Sequence, residues 1–387
     1  MARTRLETDA GAPGAHGPCH VVLFHAYRDS ENTSMRLYAR HLGDALGQRG
    51  FAVDHVSPES LLPDRLRGVG LLSRLESLWG RFVRYPRIAR RTRGSLFHIV
   101  EQSQAHLVDS VDPRRAVVTC HDLILLALAA GKFRSAYRDP VATGLFRRSV
   151  RPLRRAASVV ADSEQTRRDL GELLELPADR IDVIPPGLDA AFRPRPQERE
   201  RARRRLGLDG PVLLHVGHTG FYKNIEGCLR ILARLRHQGM DARLVRVGER
   251  LRPAQRILME SLGLRPFVRE AGRVTIEELV QHYIAADVLL FPSLYEGFGW
   301  PPLEAMASGL PVVCSNAGSL PEVAGEAALM AAAEDEEELA RCVAEVLAQP
   351  AVAADMRARG LKAAARYSWD VSAARLSGVY ERVLERA

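Results

Sequence analysis

Apolar residues in this chain gather in short runs of strand length, separated by stretches whose apolar positions recur every three or four residues. HVVLFHA at 20–26 is the first run; the loop YRDSENTS follows, then an amphipathic helix predicted over about 35–48 and closed by Gly50. FAVDHV, SLFHIVEQ, RAVVTCHDL, ASVVADS and RIDVIPPG continue the series, with helical sequence or a loop between them. Strand alternating with helix predicts a parallel sheet covered by helices on both faces.

The alternation stops near 188–211, where DAAFRPRPQERERARRRLGLDGP brings prolines and a run of charge. It then resumes. PVLLHVGH, ARLVRVGE, FVREAGRV, DVLLFPS and PVVCS read as strands, and NIEGCLRILARLRHQG, PAQRILMESLG, TIEELVQHYIAA and EEELARCVAEVLAQ as helices. The expected fold class is α/β, with two doubly wound, Rossmann-like domains at 19–190 and 211–367 joined by a linker at 191–210. Ligands of such sheets bind beyond the carboxyl ends of the strands. The loops after Val216, Val247, Phe291 and Cys314 are therefore expected to meet in one crevice.

At 387 residues the chain suits two domains, and no apolar stretch is long enough to cross a bilayer. The opening residues 1–18, rich in Gly, Ala and Pro without an apolar segment, read as a flexible tail, and a cytoplasmic location is expected. Five scattered cysteines without C-x-x-C spacing indicate neither a disulfide framework nor a zinc site. The net charge of +8 rests on arginine, since lysine occurs only at 132, 223 and 362. One of those three lysines, Lys223, falls inside a glycine-containing turn.

That turn, VGHTGFYKN at 216–224, joins a strand to a helix. Gly217 and Gly220 let backbone approach a ligand, the helix start offers unpaired N–H groups, and Lys223 adds a full charge. A second loop, YEGFGWPPLEAMASG, carries Gly297 and Gly299 and a proline pair that presets a helix over 303–308, stopped by Gly309. Glu296 and Glu304 flank this start. Two carboxylates could serve as the acid and base of glycoside hydrolysis, but beside phosphate-binding backbone they read better as acceptors for the hydroxyls of a sugar joined to a diphosphate. No D-x-D pair offers a metal site, so no metal is expected; Lys223 and two helix starts would meet the charge of a departing diphosphate.

These residues resemble the retaining glycosyltransferases of family 4, whose fold is GT-B, two Rossmann-like domains facing across a cleft. FPSLYEGFGWPPLEAMASGLPVV resembles the family's E-x7-E signature, HVGHTGFYKN its glycine turn and basic residue, and VTCHDL its first-domain histidine loop. VVADSEQTRRDL, VIPPGLDAAFRP and the closing YSWDVSAARLSGVYERVLERA extend the likeness over nearly all of the chain after the tail. The resemblance implies a hexose moved from a nucleotide-diphosphate sugar to a hydroxyl acceptor with retained configuration, no cofactor, and a C-terminal helix at 368–387 packed back on the first domain. It implies catalytic roles for His121, Lys223 and Glu296. Donor contacts are implied for Gly217, His218, Lys223, Arg273, Val274, Glu296, Gly297, Phe298, Gly299, Leu303 and Glu304. Lys223 and the Leu303 amide would meet the diphosphate, Glu304 the ribose, Glu296 with the Phe298 and Gly299 amides the sugar, and Arg273 and Val274 the base. Two features depart from the common pattern: His218 stands near a usual arginine, and Asn32, Thr33, Ser34 and Met35 stand where many members carry a glycine pair.

On the acceptor side, 70–94 interleaves Leu71, Leu72, Leu75, Leu78, Trp79 and Phe82 with arginines, and RRSVRPLRRA at 147–156 adds a second basic cluster. A basic amphipathic helix lies on anionic membrane, so peripheral contact with the inner face of the cell membrane and a glycan or lipid-linked acceptor are expected. The other expectation for this stretch is an apolar face packed on the first domain. No nucleic-acid partner is expected, because aromatics do not interleave along a basic face elsewhere. Two other readings of the chain are an enzyme of the same fold that breaks glycosides with phosphate or rearranges sugar phosphates, the phosphorylase form being disfavoured because the chain has no obvious lysine for a bound cofactor, and a non-catalytic nucleotide- or polyanion-binding protein.

Overall fold

The strand-like runs form two separate six-stranded sheets. The computed structural model describes residues 19–25, 33–58, 75–76, 78–135, 137 and 139–387. In the first sheet, β1 (His20–Phe24), β2 (Ala52–Val56), β3 (Leu96–Ile99), β4 (Ala116–Cys120), β5 (Ser158–Ala161) and β6 (Ile181–Val183) stand in the order β2-β1-β3-β4-β5-β6. The second holds β7 (Val212–Gly217), β8 (Arg243–Gly248), β9 (Val268–Gly272), β10 (Val288–Phe291), β11 (Val312–Ser315) and β12 (Ala328–Ala331), in the order β12-β11-β10-β7-β8-β9. Every pairing is parallel. Side chains from both faces of each sheet enter separate cores, two per domain, which is why the central strands read as unbroken apolar runs.

Strand order fixes where a ligand can sit. Neighbouring strands whose connections leave in opposite directions open a gap at their carboxyl ends, and in the second sheet those neighbours are β7 and β10. The loops that follow them are the two singled out by their glycines. In the first sheet the corresponding gap lies between β1 and β3.

Three features differ from the sequence reading. β12 is absent from the predicted strands, because its alanines lack the β-branched signal that marked the others. The helix after β10 is Trp300–Ala307, a turn earlier than 303–308, because Gly299 at φ 109° caps it and both prolines lie inside its first turn. Within 191–210 the chain forms a helix, Arg199–Leu206, whose Arg199 and Arg203 both reach Asp287 and neighbouring carbonyls of the second domain. The C-terminal helix Trp369–Arg386 puts Leu376, Val379, Tyr380 and Val383 into a first-domain core with Tyr38, Leu42 and Leu46. No described helix is long and apolar enough to cross a membrane.

Candidate active site

A cleft of about 520 Å³ runs between the carboxyl ends of the two sheets. Its second-domain wall is built by lashing the loop after β7 to the loop after β10. Tyr222 accepts from the Leu294 amide at 2.7 Å, and the Asn224 side chain donates to the Pro292 and Ala333 carbonyls at 3.0 Å each. Asn224 sits at φ 50°, a left-handed conformation that asparagine tolerates, and its Oδ1 caps the following helix through the Gly227 amide. The result is that Lys223 and Glu296, 73 residues apart, meet at 2.7 Å, both less than one-tenth exposed. The Lys223 ammonium also lies over the Phe291 ring, 4.9 Å from its centre.

The Glu296 backbone is held from a direction that sequence reasoning missed. The Ser319 amide and hydroxyl both donate to the Glu296 carbonyl, and the same hydroxyl donates to the Phe298 carbonyl at 2.6 Å. A β-carbon added at Gly318, whose φ is 61°, would lie 2.4 Å from the Glu296 carbonyl oxygen, so only glycine fits. Among the described residues no acceptor takes the Phe298 or Gly299 amide. Both remain available beside Glu296, just ahead of the helix start.

Glu304 lies on the first turns of that helix and accepts from the Tyr283 hydroxyl at 2.7 Å. Burial raises its carboxyl to about 7 against the opposing Tyr283 hydrogen bond. Gly217, His218, Arg273, Val274, Gly297, Phe298 and Gly299 line the cleft with these three. Leu303 is the exception among the named residues: its side chain is fully buried, and its amide donates within the helix to the Gly299 carbonyl at 3.4 Å. His218 accepts from the Gly220 amide at Nδ1 and pairs with the Tyr222 hydroxyl through Nε2, 2.8 and 2.7 Å away. Burial and the nearby Lys223 push it down to about 4, so it is neutral and adds no charge to the turn.

The opposite wall belongs to the first domain. His121, at the end of β4, directs Nδ1 to Asp162 at 2.6 Å and Nε2 to the Val100 carbonyl at 2.8 Å. A carboxylate and a carbonyl both accept, so both ring nitrogens carry protons. Burial works against that charge, but Asp162 and the Val100 carbonyl outweigh it and lift the imidazole to about 9. Asp122 lines the cleft beside it, its carboxyl raised to about 6 by burial despite the Ile124 amide, with Glu296 adding repulsion. Asp162, at the end of β5 in VVADS, was missed; its place beyond a strand's carboxyl end was the available signal. Ser34 and Met35, in the first turn of the helix Thr33–Gln48, line the cleft on this side, while Asn32 lies outside the described residues.

Residues 196–363 match the family described as glycosyl transferases group 1, and residues 35–192 match glycosyltransferase family 4. The chain belongs to the family 4 glycosyltransferases. A D-inositol 3-phosphate glycosyltransferase of Thermobispora bispora is 35% identical to this family 4 chain over 246 residues, covering 60% of the chain and 57% of the relative. An MMP alpha-(1->4)-mannosyltransferase of Mycolicibacterium hassiacum is 33% identical over 218 residues, covering 54% and 50%. The chain thus spans only about half of the curated relatives it matches. In structure, sucrose-phosphate synthase of Thermosynechococcus elongatus superposes with a TM-score of 0.78 at 22% identity, covering 95% of the chain and all of that protein. The fold is GT-B.

Proposed function

We propose that the protein transfers a hexose from a nucleotide-diphosphate sugar to a hydroxyl acceptor with retention at the anomeric carbon. The observation that carries this reading is the buried Lys223–Glu296 pair at the gap between β7 and β10, facing His121 across the cleft. Lys223 meets the diphosphate, Glu296 and the Phe298 and Gly299 amides take the hexose hydroxyls, and Glu304 takes the ribose. On binding, the donor separates Lys223 from Glu296 and gives each a new partner. The acceptor oxygen bonds to the anomeric carbon on the face from which the diphosphate leaves; the carbon–oxygen bond to phosphate breaks, and the acceptor proton passes to the departing phosphate oxygen. Protein cations and preset amides, rather than a metal, stabilise that charge. The imidazolium of His121, fixed by Asp162, contributes from the far wall.

The names of the relatives support a hexose donor and a phosphorylated or glycan acceptor. The test is nucleotide release from UDP-, GDP-, ADP- and dTDP-hexoses, with the product anomer read by NMR. Release from at least one donor with retained configuration is expected; no release from any, or inversion, overturns the reading.

A membrane-side acceptor is the narrower proposal. Of the 70–94 stretch, 70–74 and 77 lie outside the described residues. Beyond them Tyr85 is buried and Phe82 packs on His106, while Leu75, Leu78 and Trp79 are about half exposed. Co-sedimentation with anionic vesicles at low salt is expected; its absence removes this proposal.

A further inference from the structure

Arg246 is the largest fully buried side chain among the described residues. It stands in β8, an inner strand, among Leu244, Val245 and Val247, where an apolar residue would be the ordinary occupant. Its guanidinium donates through one NH2 group to the Gly217 carbonyl at 2.9 Å and through the other to the Glu249 carbonyl, while Nε–H has no partner. Among the described residues no carboxylate lies within ion-pair distance of it. Arginine stays charged when buried, so the sheet encloses a cation compensated by two carbonyl dipoles and, from beyond ion-pair distance, by Glu270, Glu249 and Glu226. Its direct neighbour across the register is His215, fully buried, with neither ring nitrogen hydrogen-bonded to another group. Burial, reinforced by Arg246 and Lys223, holds that ring neutral, so it supplies no counter-charge.

The position of this cation explains what the fold gains from it. Gly217 opens the diphosphate turn, and Lys223 passes over it, its Cε 3.5 Å from where a β-carbon of Gly217 would be. Arg246 grips the same residue by its carbonyl. The second carbonyl it holds belongs to Glu249, whose carboxylate in turn accepts from the Thr219 amide and hydroxyl at 3.1 and 3.0 Å. The loops after β7 and β8 are thus tied together through Arg246. They approach so closely that a β-carbon on Gly248 would lie 2.0 Å from the Gly217 carbonyl oxygen. Meanwhile His218, on the surface of the turn, is neutral. Besides Lys223, the cations that act on His218 of this turn are Arg246, inside the sheet, and Arg252, which is exposed.

We propose that Arg246 is a positioning residue of the donor site, a second cation for the diphosphate that acts through the glycine turn from beneath rather than by contact. This rests on the nucleotide-sugar reading above. Replacing a buried, partly compensated charge by an apolar residue of similar size is commonly neutral or stabilising. Arg246 therefore trades stability for anion affinity, and that trade separates it from a structural cation.

The test titrates full-length wild type, Arg246→Leu, Arg246→Gln and Arg246→Lys with GDP, UDP, ADP and dTDP, and with the nucleoside of whichever diphosphate binds wild type most tightly. Removing the charge is expected to weaken diphosphate binding by about tenfold and leave nucleoside binding unchanged. Arg246→Lys should retain most of the diphosphate affinity, and Arg246→Leu should melt no lower than wild type. Arg246→Gln, which keeps donors for the two carbonyls, carries the same expectation if Arg246→Leu does not fold. Unchanged diphosphate affinity in the folded uncharged variants, or an equal loss for nucleoside and diphosphate, overturns the inference alone. Wild type that binds none of the four diphosphates overturns the donor reading along with it.

Discussion

Lys223 and Glu296 hold each other in a wall that shields both from water, and that pairing has an energetic signature. Removing one partner of a buried pair strands the other's charge, at a cost of about 3 kcal/mol or more, whereas removing both does not. Urea unfolding of Lys223→Met, Glu296→Leu and the double variant is expected to show each single substitution more destabilising than the pair together; additive losses would mean that the two do not interact. His121 and Asp162 give a second signature at this scale. The histidine's ordinary value of 6.5 is raised to about 9, so the folded state holds its proton more tightly than the unfolded state. The stabilisation, about 3 kcal/mol, is complete below 6.5 and lost as pH rises through about 9. Stability measured from pH 6 to 10 should fall over that window in wild type and lose this slope in Asp162→Asn.

The elements that meet at the cleft are also tied across it. The helix Glu164–Leu174 of the first domain presents its amino end to the second, where Glu322 accepts from the Glu164 and Gln165 amides at 2.7 Å each. Ser163, its cap, donates to the Gly297 carbonyl at 2.6 Å. A carboxylate at a helix amino end is favoured by the dipole as well as by the hydrogen bonds. Gly297 presses so closely on the first domain that a β-carbon there would come within 2.0 Å of the His121 carbonyl oxygen. Gly297→Ala combined with Glu322→Ala is expected to enlarge the unliganded protein's radius of gyration in small-angle scattering; an unchanged radius would show that these contacts do not hold the domains together.

At the scale of the whole molecule, much of the design could be read in advance because it is local. Parallel strands announce themselves as apolar runs, and glycine turns, a proline-led helix and an E-x7-E spacing lie within a few residues of one another. That was enough to expect two sheets and to bring Lys223, Glu296 and Glu304 to one cleft. What escaped notice depends on partners distant in sequence. Ser319 supports Glu296 from the next loop, Asp162 charges His121 from the neighbouring strand, and Arg246 looks like an ordinary charged residue until β8 encloses it. The central claim is that Glu296, in a site assembled from both loops, is released from Lys223 to hold the hexose of a nucleotide sugar. The measurement that tests it most directly is turnover of the preferred nucleotide sugar by wild type and folded Glu296→Gln, with binding of the matching nucleoside diphosphate measured alongside. A fall in turnover of about 100-fold with diphosphate binding retained is predicted; wild-type turnover in Glu296→Gln would contradict the account.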